Sequence, residues 1–308
     1  MRSLPPVGAR VSLRRLDPDG TARDLVGDVV EADDRRLRVL PWDRGPVDVE
    51  VSSVAAWRRV PPKAVRPAST PADVARLAAR GWPGLDVERL GGWELRAAGG
   101  YTRRANSALC EGDPETDLTA AVARTVTFYR TRDLAAQVML PARPDEPHPL
   151  RDPLMRQGWR EHTPTRLLTR DLRLSPPASV PDGLRVSWSA RPTPQWLAAF
   201  GRPHPLREAV LTAADADYLS LRRDDALVGI ARLAVTGEWA GISGLWVADP
   251  QRGRGLGAGL MGVLAERARY RGARFGYLQV VDDNVAARRL YDRLGWQVHH
   301  RSTYLTLE

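Results

Sequence analysis

The sequence predicts an α+β fold built on a mixed, mostly antiparallel sheet flanked by helices. A strand-like run, Ile242 to Val247, passes through a glycine-rich turn into a helix with Leu256, Leu260, Val263, Leu264 and Ala268 at helical spacing. A further strand, helix and strand follow, from Phe275 to Leu307. A fainter copy of that passage lies in the middle third, so the architecture is expected twice.

Residues 1–60 read as strand throughout. Val7 to Leu16, Leu25 to Glu31, Leu37 to Trp42 and Val47 to Val51 are short β runs, with turns at Asp17-Pro18-Asp19-Gly20, Asp33-Asp34 and Asp43-Arg44-Gly45. This spacing suits a small SH3-like β-barrel. Arg14, Arg15, Arg35, Arg36, Arg38, Arg58 and Arg59 make it basic, but acids lie between them and no aromatic series offers stacking. A structural or interaction module is expected. Pro61-Pro62, Pro67 and Ser69-Thr70-Pro71 mark a first linker.

The middle unit spans 68–175. Leu118 to Arg130 is helical in pattern and Ala135 to Leu140 strand-like. Leu154-Met-Arg-Gln-Gly158-Trp159, followed by Thr165-Arg-Leu-Leu-Thr169, echoes Tyr291-Asp-Arg-Leu-Gly295-Trp296 followed by Tyr304-Leu-Thr306-Leu307. Its stretch before the helix, Cys110 to Asp117, carries Glu111, Asp113, Glu115 and Asp117 where the other copy has arginines and glycines. Negative charge there repels phosphate. One anion site is expected, not two. Leu174-Ser175-Pro176-Pro177 through Pro181 marks a second linker, leaving 182–308 as the last unit.

In that unit the turn Arg252-Gly253-Arg254-Gly255-Leu256-Gly257-Ala258 opens a helix. Main-chain N–H groups at a helix start lack intrahelical partners and carry a partial positive charge, which suits a phosphate. Ala258-Gly259 stand where a Walker loop needs Lys-Ser/Thr, and the loop lies too near the C-terminus for a Rossmann fingerprint. Downstream, Phe275 to Val281 reads as a buried strand. Asp283-Asn284 cap a helix carrying Ala286, Ala287, Leu290, Tyr291 and Leu294 on one side, and Tyr304 to Leu307 closes as a strand.

The pattern Arg252-Gly-x-Gly-x-Gly257, joined to Asn284-x-Ala-Ala-x-x-Leu-Tyr291-x-x-Leu-Gly-Trp296, resembles the GNAT superfamily of acyl-CoA-dependent N-acetyltransferases. With the N-terminal barrel and a degenerate first half, the whole chain resembles an actinobacterial-type tandem GNAT family, often catalogued as N-acetylglutamate synthases. Gly92-Trp-Glu-Leu-Arg96 and Gly100-Tyr-Thr-Arg-Arg-Ala-Asn106-Ser107 add to that match.

The resemblance implies acetyl-CoA as acyl donor and no metal. It implies that main-chain groups of Leu245, Trp246 and Val247 pair with the pantetheine arm, and that N–H groups from Arg252 through Ala258 hold the pyrophosphate. Asn284 would contact the cofactor near the pantetheine. Tyr291 would aim its hydroxyl at the sulfur and protonate it as a general acid, unless it is a core aromatic. Glu238 has two readings, as base for the incoming ammonium or as a surface turn carboxylate. Asp249 reads as a turn residue before Pro250. Arg103, Arg104 or Arg232 could receive carboxylates of a glutamate acceptor, among many arginines.

His299-His300 invite a metal reading, but strand neighbours point to opposite faces and no third ligand stands near. A net charge of +9 favours anionic partners such as CoA; without a basic block, nucleic acid is not expected. Cys110, the single cysteine, excludes an internal disulfide and fits a reducing cytoplasm. No apolar run approaches the ~20 residues of a membrane span, and the start Met1 to Pro6 lacks a signal-peptide core. Three functions stay open: acetylation of a small-molecule amine or amino acid, acetyl-CoA sensing without turnover, and acetylation of a protein docked on the barrel.

Overall fold

A computed structural model describes residues 4–61, 63–162, 164–175, 177–201 and 203–307. Of the sequence signals above, Pro62, Pro176 and Met1 to Ser3 lie outside the described residues.

The N-terminal unit is a five-stranded antiparallel sheet: β1 (Arg10–Leu16), β2 (Ala22–Ala32), β3 (Arg36–Leu40), β4 (Val47–Glu50) and β5 (Val54–Arg59). Its order is β4-β3-β2-β1-β5. Strand alternation turns Val11, Leu13, Leu25, Val29, Leu37, Val39 and Val49 into one small core. The fifth strand was not among the sequence's β runs, because its edge position leaves Arg58 and Arg59 in solvent and blurs the apolar pattern. Trp42 joins this unit to the rest. Its indole donates to Asp73 at 2.7 Å, and Lys63 and Arg80 lie over its ring.

Two α/β copies follow. The first comprises α1 (Pro71–Gly81), β6 (Asp86–Leu90), β7 (Trp93–Ala97), β8 (Ala108–Leu109), α2 (Leu118–Arg130), β9 (Ala136–Ala142), α3 (Arg151–Arg156), β10 (Arg160–Glu161) and β11 (Thr165–Asp171). The second comprises β12 (Leu184–Ser189), α4 (Pro194–Phe200), α5 (Arg207–Thr212), β13 (Ala216–Arg223), β14 (Ala226–Thr236), β15 (Trp239–Val247), α6 (Leu256–Tyr270), β16 (Phe275–Val281), α7 (Val285–Arg293) and β17 (Gln297–Leu307). In each copy a helix crosses between two parallel neighbours, α2 between β8 and β9 and α6 between β15 and β16. The other pairings are antiparallel.

All twelve strands form one sheet, ordered β12-β13-β14-β15-β16-β11-β17-β9-β8-β7-β6, with β10 pairing off this path to β17. The copies therefore interlock. β11, which the chain completes before the second linker, lies between β16 and β17; β17 in turn lies between β11 and β9. Leu167, Leu168, Tyr304 and Leu305 along these strands are at most 1% exposed. The linker is not a free tether. Its Ala178 N–H donates to Glu266 at 2.9 Å, and its backbone crosses α6 where Gly259 and Gly262 carry no side chain; a Cβ at Gly262 would meet Ala178 at 3.1 Å.

Interlocking makes a prediction. Residues 182–308 made alone lack β11 and should show no cooperative urea transition, whereas the two copies in the full chain should unfold together. A stably folded fragment would refute the interlock. Leu168→Ala should lower stability by about 2–5 kcal/mol in the same assay.

Candidate active site

β15 and β16 run paired from Trp239↔Phe275 to Ile242↔Leu278, and then separate. A bulge helps: the β14–β15 register shifts between Ile230 and Arg232, and Gly244 takes φ 63, open to glycine without a Cβ penalty. Beyond it Leu245, Trp246 and Val247 are partly buried. Trp246 and Val247 still pair with β14 on one edge, while the edge facing β16 has no ladder.

The glycine turn lies at the end of this open edge. After a 3-10 turn at Asp249–Gln251, Gly253 and Gly255 take φ 75 and 80, and Gly255 stands at the cap of α6 with no side-chain cap. Main-chain N–H groups of Gly253, Arg254, Gly255, Leu256 and Gly257 have no backbone acceptor among the described residues. The ends of the expected cradle are already used: Arg252 N–H donates to Asp249 at 3.2 Å and Ala258 N–H to Gly255 at 3.0 Å. The N–H groups left without a backbone acceptor are thus fewer than the expected run from Arg252 through Ala258. The Arg252 side chain donates to Val247 at 3.0 Å and pairs with Asp249 at 2.8 Å, which closes the turn. Gly257 lets α7 approach, since a Cβ there would meet Leu290 at 3.1 Å.

On α7, Asn284 Oδ1 accepts the Ala287 N–H at 3.0 Å, so its carbonyl is spent on the helix cap. Tyr291 packs among Leu256, Leu260 and Trp296. Its hydroxyl has no hydrogen-bond partner among the described residues, and burial pushes its pKa up to about 12. The open edge, the turn, Asn284 and Tyr291 come together on one face of the sheet.

Glu238 does not join them. It occupies the β14–β15 turn, pairs with Arg66, and its carbonyl accepts the Arg274 and Phe275 N–H groups. At ~3.3 Å per strand residue it lies roughly 16 Å along β15 from Ser243, the first residue past the last pair. It therefore stands apart from the strand opening.

Alternation sends Gly241, Ser243, Tyr277 and Gln279 to the opposite face, toward α1. There they line a narrow cleft with Ala78, Gly81, Trp82, Arg104 and Arg232. Arg104 and Arg232, distant in sequence, meet only in the folded chain, while Arg103 lies over Tyr304 instead. A larger cavity, about 530 Å³, lies beside the acidic stretch before α2, the first copy's counterpart of the glycine turn, bordered by Glu111, Glu146 and His148. Its acids make it a poor seat for pyrophosphate.

The two histidines correct another expectation. The β11–β17 register shifts between Leu167 and Leu168, so His299 falls in a bulge and the alternation breaks. The two Nδ1 atoms lie 2.8 Å apart, one donating to the other, and His299 Nε2 donates to the Ser69 carbonyl at 3.0 Å. Burial, with the neighbouring His299, pulls His300 down to about 3. No group of three or more potential metal ligands occurs among the described residues, and no described helix is long and apolar enough to cross a membrane.

The sequence model of a family described as "Probable histone acetyltransferase Rv0428c C-terminal" matches residues 72–305. The probable histone acetyltransferase Rv0428c of Mycobacterium tuberculosis is 31% identical over 99% of this chain and 97% of its own. The chain belongs to this GNAT family. It is an N-acetyltransferase, and GNAT enzymes use acetyl-CoA as acyl donor. An uncharacterized N-acetyltransferase, YobR of Bacillus subtilis, is 27% identical over 72% of this chain and 93% of its own. A GCN5-related N-acetyltransferase from Kribbella flavida shares the fold, with a TM-score of 0.60 at 18% identity over 76% of this chain and 94% of its own. None of these three names is that of an N-acetylglutamate synthase. The bare N–H groups at the α6 start and the open β15 edge suit this GNAT donor's pyrophosphate and amide-bearing arm.

Gly255→Glu places a side chain at φ 80 and a carboxylate at the anion seat. Calorimetry should show acetyl-CoA binding weakened at least about tenfold, or ~1.4 kcal/mol, with circular dichroism unchanged. The histidine pair predicts an acid limb. His300 is held neutral, so its contribution is complete above about 6.5 and is lost as pH falls toward 3. Urea midpoints should drop over that window, and less so in His300→Gln.

Proposed function

We propose that this enzyme moves the acetyl group of acetyl-CoA directly to the primary amine of a small molecule or amino acid, glutamate among them, in a ternary complex. One observation carries the reading. The strand opening has an anion-holding turn on one face and a narrow cleft on the other, meeting at Ser243 and Gln279. Donor and acceptor can thus meet from opposite sides, which turns a bimolecular encounter into an oriented one. The cleft's narrowness favours a small acceptor over a protein surface.

Acetyl-CoA supplies a thioester when bound. The N–H groups of Gly253 to Gly257 would hold its pyrophosphate, and the open edge of Leu245 to Val247 its pantetheine arm. The acceptor nitrogen would attack the carbonyl carbon, forming the C–N bond as the C–S bond breaks, and the proton lost from nitrogen would leave to solvent, from which Tyr291 would later regain its own. A main-chain N–H at the β15 bulge would stabilise charge growing on the carbonyl oxygen. Tyr291 would donate its proton toward the departing sulfur. With its pKa near 12 the phenol keeps that proton across the working range. The described lining of the cleft holds no carboxylate, and Glu238 is distant and paired with Arg66, so solvent takes the proton.

A second reading, acetylation of a protein docked on the N-terminal sheet, draws on the name of the mycobacterial relative. The buried, single Cys110 fits a cytoplasmic setting. Free-thiol release from acetyl-CoA, followed across amines, amino acids and basic peptides, separates the readings. Release with a small acceptor supports ours. Release with peptides alone supports the second, and tight acetyl-CoA binding without release supports a sensor.

Tyr291→Phe should lower kcat by ~10²–10⁴-fold while leaving acetyl-CoA affinity near that of the parent. Equal turnover would remove Tyr291 as acid. Wild-type activity should show no loss attributable to Tyr291 as pH rises to about 10.

A further inference from the structure

We infer that the cleft on the α1 face is a carboxylate site, and that it takes a carboxylate borne by the acceptor between Arg232 and Arg104. The part concerning the acceptor rests on the acetyl-transfer reading above; the site itself stands on its own geometry.

Arg232 is 1% exposed. Its Nε donates to the Leu211 carbonyl at 2.9 Å and its Nη1 to the Gly81 carbonyl at 3.0 Å, while Nη2 is buried with no partner. Ser243 Oγ, also lining the cleft, is a second buried polar atom without a partner. Arg104 makes one hydrogen bond there, from Nη1 to Gln279 Oε1 at 3.2 Å. Neither arginine has an ion pair among the described residues. Some other partly buried arginines do, Arg267 and Arg271 sharing Asp217 and Arg166 meeting Asp282, whereas Arg76 and Arg170 donate to carbonyls instead.

Two cations are therefore drawn together with no anion. Trp82 offsets part of the cost, with Arg104 and Arg232 over its ring at 4.3 and 4.9 Å from the centroid. It leaves the Nη2 donor bare, and a buried donor without an acceptor is costly. A planar anion with two acceptor oxygens answers both the charge and the open donor, and guanidinium is shaped for it.

The support for this pair is rigid on one side and yielding on the other. Asn106 ties the Arg104 turn together, with Oδ1 accepting the Ala98 and Gly100 N–H groups at 2.7 and 2.8 Å and Nδ2 donating to Tyr101 and Thr102. The cleft holds only about one water-sized group, ≈ 10 Å³. Room for a ligand requires the Arg104 guanidinium, held by one hydrogen bond to Gln279 and by the Trp82 ring, to shift while staying beside the cleft. Arg232 and Ser243 are direct cross-strand partners, so their Cβ atoms stand about 5 Å apart. One small molecule can reach both, with its carboxylate on Arg232 and its amine beside Ser243 at the strand opening.

Titration calorimetry on the full chain tests this without relying on turnover. The probes are N-acetylated forms of the common amino acids, each against its primary amide. At least one acid should bind tenfold or more tighter than its amide. Arg232→Met should erase that preference, and Arg104→Gln should reduce it several-fold. Since Arg232 also holds two carbonyls, Arg104→Gln decides the matter if Arg232→Met fails to fold. Equal binding of every acid and its amide, or a preference untouched by Arg104→Gln, overturns the site. In the thiol-release assay, amino acids should exceed their amides in kcat/KM by a similar factor. Acid-selective binding with no acetylation of any amine would keep the carboxylate site and overturn the acetyl-transfer reading.

Discussion

The pairing of β11 with β16 is the constraint on which the site depends. An opening between two parallel strands is useful only if each is anchored on its far side. β15 is anchored by β14, and β16 by seven register pairs with β11, from Thr165↔Val281 to Asp171↔Phe275. Pull β11 away and β16 loses the ladder that holds it off β15. The first copy therefore supports the second with backbone hydrogen bonds, although its own turn is acidic.

From that anchored opening the two-residue period of a strand does the sorting. Ile242, Leu278 and Val280 face α6 and α7, where the glycine turn and Tyr291 lie. Ser243, Tyr277 and Gln279 face α1 and the arginines. One strand pair thus separates the side that carries the glycine turn from a cationic cleft. The bulge at Gly244 shifts the register within this stretch of β15.

How much of this was legible in the sequence follows from how local each feature is. The glycine turn, the Asn284 cap and the helix behind each were readable because a few consecutive residues specify them. The echo between Gly158-Trp159 and Gly295-Trp296 pointed to a duplicated unit for the same reason. The strand interlock was not readable, since nothing near Thr165 marks Val281 as its partner. Nor was the cleft, where Arg232 meets the Gly81 carbonyl across 151 positions. Of the two readings of Glu238, its place in the β14–β15 turn is that of a surface turn carboxylate. The His299 bulge defeated the alternation rule by one inserted residue.

The interlock also sets the order in which a nascent chain can mature. β11 ends at Asp171, and its second neighbour, β17, is complete only at Leu307. At ribosomal speeds of about 5–20 residues per second, that interval leaves β11 without both partners for roughly 7–27 s. During it, Leu167 and Leu168 lie on a strand with open edges, the kind of surface that pairs with other chains. The finished form removes that hazard by pairing both edges of the strand, with β16 on one side and β17 on the other.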